Sequence, residues 1–261
     1  PAQTLPTATT AAPAVQQPAA VPAWRRFARP FPAGDPRPRI AIVLTGLGLN
    51  QDYTLTAIER LPPEVTLSFS PYTPTRTLPD LMAAARKAGH EVLLDLPMEP
   101  RSYPTDNPGP QALLTSLDTA ENQRRLQWVL GRGQEYVGVV TYMGSRFMAD
   151  EAKLRPVLQT LSDDGLLFLD SRYGADTVGS RIAAELKMPY AANDYFLDTE
   201  PSRAAIDARL EQLERQAKAR GRVVAMALPQ PVTIDRVSAW ARTLESKGIA
   251  LAPISAAVTQ P

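Results

Sequence analysis

"AIVLTGLGLN", residues 41–50, is the stretch that decides the fold. Four apolar residues run directly into Thr45-Gly46-Leu47-Gly48. An aliphatic run of this length ending in a glycine turn reads as a strand buried on both faces, followed by a β-α loop. The run begins at Ile40, and comparable runs recur at 65–70, 91–96, 137–142, 166–171, 189–193, 222–227 and 249–254. Amphipathic helical patterns separate them. Ile206, Leu210, Leu213 and Ala217 form one stripe, with Ser202 placed to cap its start and Gly221 its end. Asp118 and Glu121 have capping-box spacing ahead of Leu126, Val129 and Leu130. Ile234, Val237, Ala241 and Leu244 form another stripe, closed by Gly248. The alternation predicts an α/β domain of seven to eight β-α units, a closed or partly closed barrel, with a doubly wound sheet as the other arrangement.

The glycines at 46 and 48 do not make a nucleotide loop. The dinucleotide fingerprint needs a third glycine where Gln51 stands, and the Lys-Ser/Thr ending of a phosphate loop is absent. Composition narrows the chemistry further. The 261 residues hold no cysteine, which removes disulfides, thiolate nucleophiles and cysteine-held metals. His90 is the only histidine, so a site with two or three histidine ligands cannot be assembled in one chain. It follows Gly89 and precedes the third strand run, at the end of the barrel opposite the expected site. The net charge is +1, with basic residues mostly interleaved among acidic ones, so no field favours nucleic acid. No apolar run reaches the roughly 18 residues of a membrane span.

Residues 1–38 contain nine of the 26 prolines and read as an extended, disordered tether, with residues 258–261 as a tail. Trp24 and Phe27, among Arg25, Arg26 and Arg29, read as linker-end aromatics that dock on the domain, with contact to a membrane surface or an anionic polymer as the other reading. The chain starts at Pro1, and contact with a membrane is expected only through an N-terminal anchor outside it.

In a barrel the chemistry belongs at the C-terminal strand ends. Those ends supply Thr45, Ser70, Asp95, Thr141 with Tyr142, Asp170 with Ser171, Asn193 with Asp194, and Ala227 with Leu228. "IAIVLTGLGL", "AGHEVLLDLPMEP", "NPGPQALLT", "VGVVTYMGSRF", "GLLFLDSR", "NDYFLD" and "ALPQP" resemble, in order and spacing, the divergent polysaccharide deacetylase family. The resemblance implies a deformed (β/α) barrel over 39–257 and a periplasmic or envelope-tethered location. It also implies a divalent metal, such as zinc, that polarises an N-acetyl amide and activates water. The family pattern ends its first strand in two aspartates, where Thr45 and Gly46 stand here. It places histidines where this chain has Asp95, Tyr142 and Leu228. Asp170 persists from the ligand pattern, and Asp198 remains.

That donor set leaves no site for a cation needing several N or O ligands, so no metal cofactor is expected. The leading expectation is a catalytically silent domain that binds a glycan, such as a peptidoglycan strand, or an envelope protein. Tyr142, Ser145, Arg146, Ser171 and Arg172 are the candidate binding residues. The rival is an active carbohydrate N-deacetylase with a site remodelled on Asp95, Asp170 and Asp198.

Overall fold

The computed structural model describes residues 21–259. In chain order these are α1 (Ala23–Arg26), β1 (Arg39–Leu47), α2 (Gln51–Arg60), β2 (Thr66–Phe69), α3 (Leu78–Lys87), β3 (Val92–Met98), α4 (Thr119–Leu130) and β4 (Gly138–Met143). There follow α5 (Glu151–Asp163), β5 (Leu167–Asp170), α6 (Gly179–Glu185), β6 (Tyr190–Ala192), β7 (Tyr195–Phe196), α7 (Arg203–Arg220), β8 (Arg222–Ala227), α8 (Pro231–Ala241) and β9 (Ala250–Leu251). Three expected caps hold. Asp118 accepts from Glu121 N at the start of α4, Ser202 accepts from Ala205 N at the start of α7, and Gly221 ends α7 in the left-handed region. Leu244 falls beyond α8, which stops at Ala241.

The strands form one parallel sheet in the order β6-β5-β4-β3-β2-β1-β8-β7, with β9 beside the start of β1. Its two edge strands, β6 and β7, are separated in the chain only by Asn193-Asp194. Asn193 N donates to Asp170 O (2.8 Å) on one side of this joint, and Asp194 N donates to Val224 O (2.9 Å) on the other. The curled sheet is therefore an α/β deformed barrel whose edges are joined by the chain itself. The two-residue β7 carries too little pattern to be read as a strand in advance.

Side chains alternate between two layers, as strand geometry requires. Ile40, Ile42, Leu44, Leu94, Leu96 and Phe168 pack outward under the helices. Ala41, Val43, Leu93, Val140, Leu169, Val224 and Met226 pack inward, together with Trp24, Ile254 and Val258. This parity fixes which residues reach the mouth of the barrel, at the C-terminal strand ends.

The floor is built by chain from both ends of the domain. Residues 1–20 of the expected tether lie outside the described residues. From Val21 onward the chain packs on the barrel: Trp24 is 6% exposed and its N–H donates to Gly165 O. Arg29 donates to Gly89 O and pairs with Glu64 at 2.9 Å. In the expected tail, Val258 is buried and Thr259 bridges Tyr190. Buried Glu91, just before β3, accepts from Arg29 N (2.9 Å), Ser255 N (3.1 Å) and the Ser255 hydroxyl. His90 is also at the floor, buried between Val65 O and Ile58 O.

Candidate functional site: the barrel mouth

The inward parity of β1, β2, β3, β4 and β8 carries Thr45, Ser68, Asp95, Tyr142 and Leu228 to the mouth. β1 enters it through an irregularity. Leu44 pairs with Leu67 but Leu47 pairs with Phe69, so β1 holds one residue more than β2 across Thr45-Gly46. This is a β-bulge, and Gly46 adopts φ +76°, which glycine reaches without a Cβ penalty. A bulge withdraws a backbone N–H from the ladder. Asp95 takes that N–H: its Oδ2 accepts from Gly46 N at 2.9 Å, and its Oδ1 accepts from the Ser68 hydroxyl. Burial lifts the Asp95 carboxyl to about 7, against the opposing pull of Ser68 and Gly46. Both oxygens thus hold β1 to β2 and β3.

Asp170 does not join Asp95. It shares outward parity with Phe168 and is 1% exposed. Its Oδ1 accepts from Arg172 N (2.8 Å), and its Oδ2 accepts from Thr177 Oγ1 (2.7 Å) and Tyr190 OH (2.9 Å). A Cβ on Gly179 would stand 3.4 Å from Oδ2, so the carboxylate is walled in. Its bond to Arg172 N supports the left-handed φ of +53° at Arg172, a conformation costing roughly 1–2 kcal/mol for an L-residue. The third candidate, Asp198, accepts from Leu228 N (2.9 Å) and Thr233 Oγ1 (3.0 Å) and ties β8 to α8. Burial raises its pKa.

The candidate binding residues divide in the same way. Tyr142 is half-buried, and burial followed by the Asp95 charge raises its hydroxyl pKa. Ser145 Oγ accepts from Arg101 N at 3.0 Å. Arg146 anchors its backbone N–H on Glu99 O (3.1 Å), while its guanidinium is 57% exposed and 3.4 Å from buried Glu99 Oε1. Ser171 is 1% exposed, its hydroxyl shared with Thr141 Oγ1 at 2.7 Å, so it offers a ligand nothing. Arg172 is exposed.

Tyr173 is the mouth residue that the sequence reading passed over. It is 49% exposed and stacks on Phe196 with ring centroids 4.7 Å apart. Burial, then the charges of Tyr142, Asp95 and Asp198, push its phenol up to about 12. The signal was an aromatic just past the β5 end, in "DSRYG".

The metal that the resemblance implies does not fit these residues. Thr45 is a neutral hydroxyl that is 6% exposed. A Cβ at Gly46 would meet Leu228 Cδ2 at 4.0 Å, so the two replaced positions face each other as a glycine and a methyl group. Among the described residues, no three His, Cys, Asp or Glu side chains converge as a metal-holding group.

Fold and mouth together define a class: a polysaccharide-deacetylase-type (β/α) barrel. Residues 42–258 match the family described as divergent polysaccharide deacetylase, and the chain belongs to it. An uncharacterized protein of Haemophilus influenzae is 26% identical over 208 residues, spanning 79% of this chain and 72% of that one. The crystal structure of an uncharacterized protein from Agrobacterium tumefaciens C58 is 38% identical. It covers 91% of this chain and 95% of its own, with a TM-score of 0.87. A mutant of a CE4 family pseudoenzyme shares the fold at a TM-score of 0.51 and 12% identity, covering 85% of this chain and 67% of its own.

Proposed function

We propose that this domain is a catalytically silent deacetylase-like barrel that holds a glycan strand, such as peptidoglycan, at its mouth in the cell envelope. One observation carries the reading. The carboxylates left near the deacetylase positions are used as structural ties, Asp95 on the Gly46 bulge and Asp170 beneath α6. Around them the mouth keeps what a sugar needs. Tyr142 and Tyr173 offer aromatic faces, Leu228 is 43% exposed, and Arg146 and Arg172 offer donors at the rim. The fold similarity to a CE4 family pseudoenzyme agrees with such a role. Among the described residues no helix is long and apolar enough to cross a membrane, so attachment falls to chain outside them or to a partner.

A second reading, a working hydrolase, draws on Asp95, whose pKa of about 7 would suit an acid-base group. Two measurements separate the readings: zinc content after purification, and acetate released from N-acetylglucosamine oligomers. The binding reading expects no stoichiometric zinc, no turnover, and peptidoglycan retention that falls in Tyr142→Ala, Tyr173→Ala and Arg146→Ala. Turnover that disappears in Asp95→Asn while the fold is kept establishes the hydrolase instead.

A further inference from the structure

The joint between β6 and β7 lies between α6 and α7 in the chain. Two cavities, of about 820 and 790 Å³, lie side by side there and share Arg172, Ser180, Asp194 and Arg220. Their walls carry Arg172, Lys187, Arg209, Arg220 and Arg222 against one carboxylate, Asp194.

Asp194 neutralises little of this. One of its oxygens caps Val224 N at 2.9 Å, and the other is 3.7 Å from Arg220, whose side chain is 59% exposed. Arg209 lies over the Tyr195 ring and donates to Gln212, while Arg222 donates to Val258 O. These guanidinium groups are held by neutral partners, and among the described residues neither Arg209 nor Arg222 pairs with a carboxylate.

An independent feature lies in the groove floor. Asn193 is 4% exposed, and its Nδ2 donates to Ser171 O. Its Oδ1 is buried with no protein donor among the described residues. The groove also runs into the mouth. Gly174 and Phe196 line one cavity, and Tyr173, adjacent to Gly174 and stacked on Phe196, belongs to the mouth.

We infer that this seam groove binds carboxylate groups carried by the glycan strand that the mouth holds, with the arginines as forked partners. The inference rests on the glycan reading of the mouth and adds an acidic requirement to it. The carboxylates could sit on an acidic sugar or on a short peptide substituent, and the two call for different probes.

Calorimetric titration of the full chain with three probes tests it: neutral N-acetylglucosamine hexamer, an oligogalacturonate, and a disaccharide–peptide fragment with free carboxylates. At low salt at least one acidic probe is expected to bind about tenfold tighter than the hexamer, and to weaken steeply as salt rises. Arg209→Gln combined with Arg222→Gln removes that advantage and leaves hexamer affinity unchanged. Lys187→Gln with Arg220→Gln, both exposed positions, repeats the test should the first pair disturb folding. The acidic probe that binds tighter names the carboxylate source. Acidic probes that bind no better than the hexamer, or that ignore both double substitutions, overturn the groove. If the hexamer fails to bind while an acidic probe binds and responds to the substitutions, the mouth reading fails and the groove stands.

Discussion

Two buried carboxylates belong to the β3 segment, Glu91 just before the strand at the floor and Asp95 within it on the mouth side, and they do the same work. Glu91 gathers Arg29 and Ser255 from the two ends of the domain, and Asp95 gathers the Gly46 bulge and Ser68. Burial raises the pKa of both. The floor is where a barrel keeps its stability residues and the mouth is where it keeps its chemistry. In this chain the mouth carboxylate is bonded like a floor carboxylate. That likeness, more than any missing histidine, supports the proposal that the mouth binds without catalysing.

The comparison breaks most visibly at Glu91. Glu91→Ala strips two buried donors and one part-buried donor of their acceptor and is expected to cost about 3–5 kcal/mol, read from urea unfolding. A loss under about 1 kcal/mol would remove the floor half of the comparison. Asp95→Ala strips two donors and is expected to cost about 2–3 kcal/mol by the same measurement.

Asp95→Asn sharpens it through pH. The amide can still accept from Gly46 N while the Ser68 hydroxyl turns to accept from the new NH₂. With a folded pKa of about 7 against an ordinary 3.8, folded Asp95 keeps a proton that the unfolded chain has lost between those values. Native protein therefore loses stability as pH rises from about 4 to 7 and levels off above 7, by an amount on the order of 4 kcal/mol. Asp95→Asn should lack that slope, so the gap between the two unfolding curves shifts in the variant's favour across this window. A gap constant from pH 4.5 to 8 contradicts a buried, charge-averse Asp95. The smallest effect belongs to Leu228→His. At an exposed position it should change stability by less than about 0.5 kcal/mol. It should also leave zinc content unchanged, since Gly46 and Thr45 bring no ligand to meet the imidazole.

Much of the architecture was legible because it rests on local pattern. Eight apolar runs fall on β1 to β6, β8 and β9, and the caps at Asp118, Ser202 and Gly221 follow from side-chain type and spacing. The placement of Thr45, Gly46, Tyr142 and Leu228 at the mouth was legible too, since each follows a strand run in a segment that resembles the family. What escaped depends on the fold. Asp95 and Asp170 look like a strand-end pair in sequence, yet one points inward and the other outward, so they cannot share a water or a metal. Ser171 looks available at a strand end and is closed off by Thr141. The seam cations are spread from 172 to 222 among acidic residues, which hides in sequence the segregation that the β6–β7 joint creates.

The most direct test is one titration with two readouts, N-acetylglucosamine hexamer added to the purified chain with and without equimolar Zn²⁺, following heat and released acetate together. Saturable binding that Tyr142→Ala and Tyr173→Ala weaken, with no acetate in either condition, is the outcome expected of a binding mouth. Acetate released in proportion to bound Zn²⁺ and abolished in Asp170→Asn would show that the carboxylates described as ties are catalytic after all.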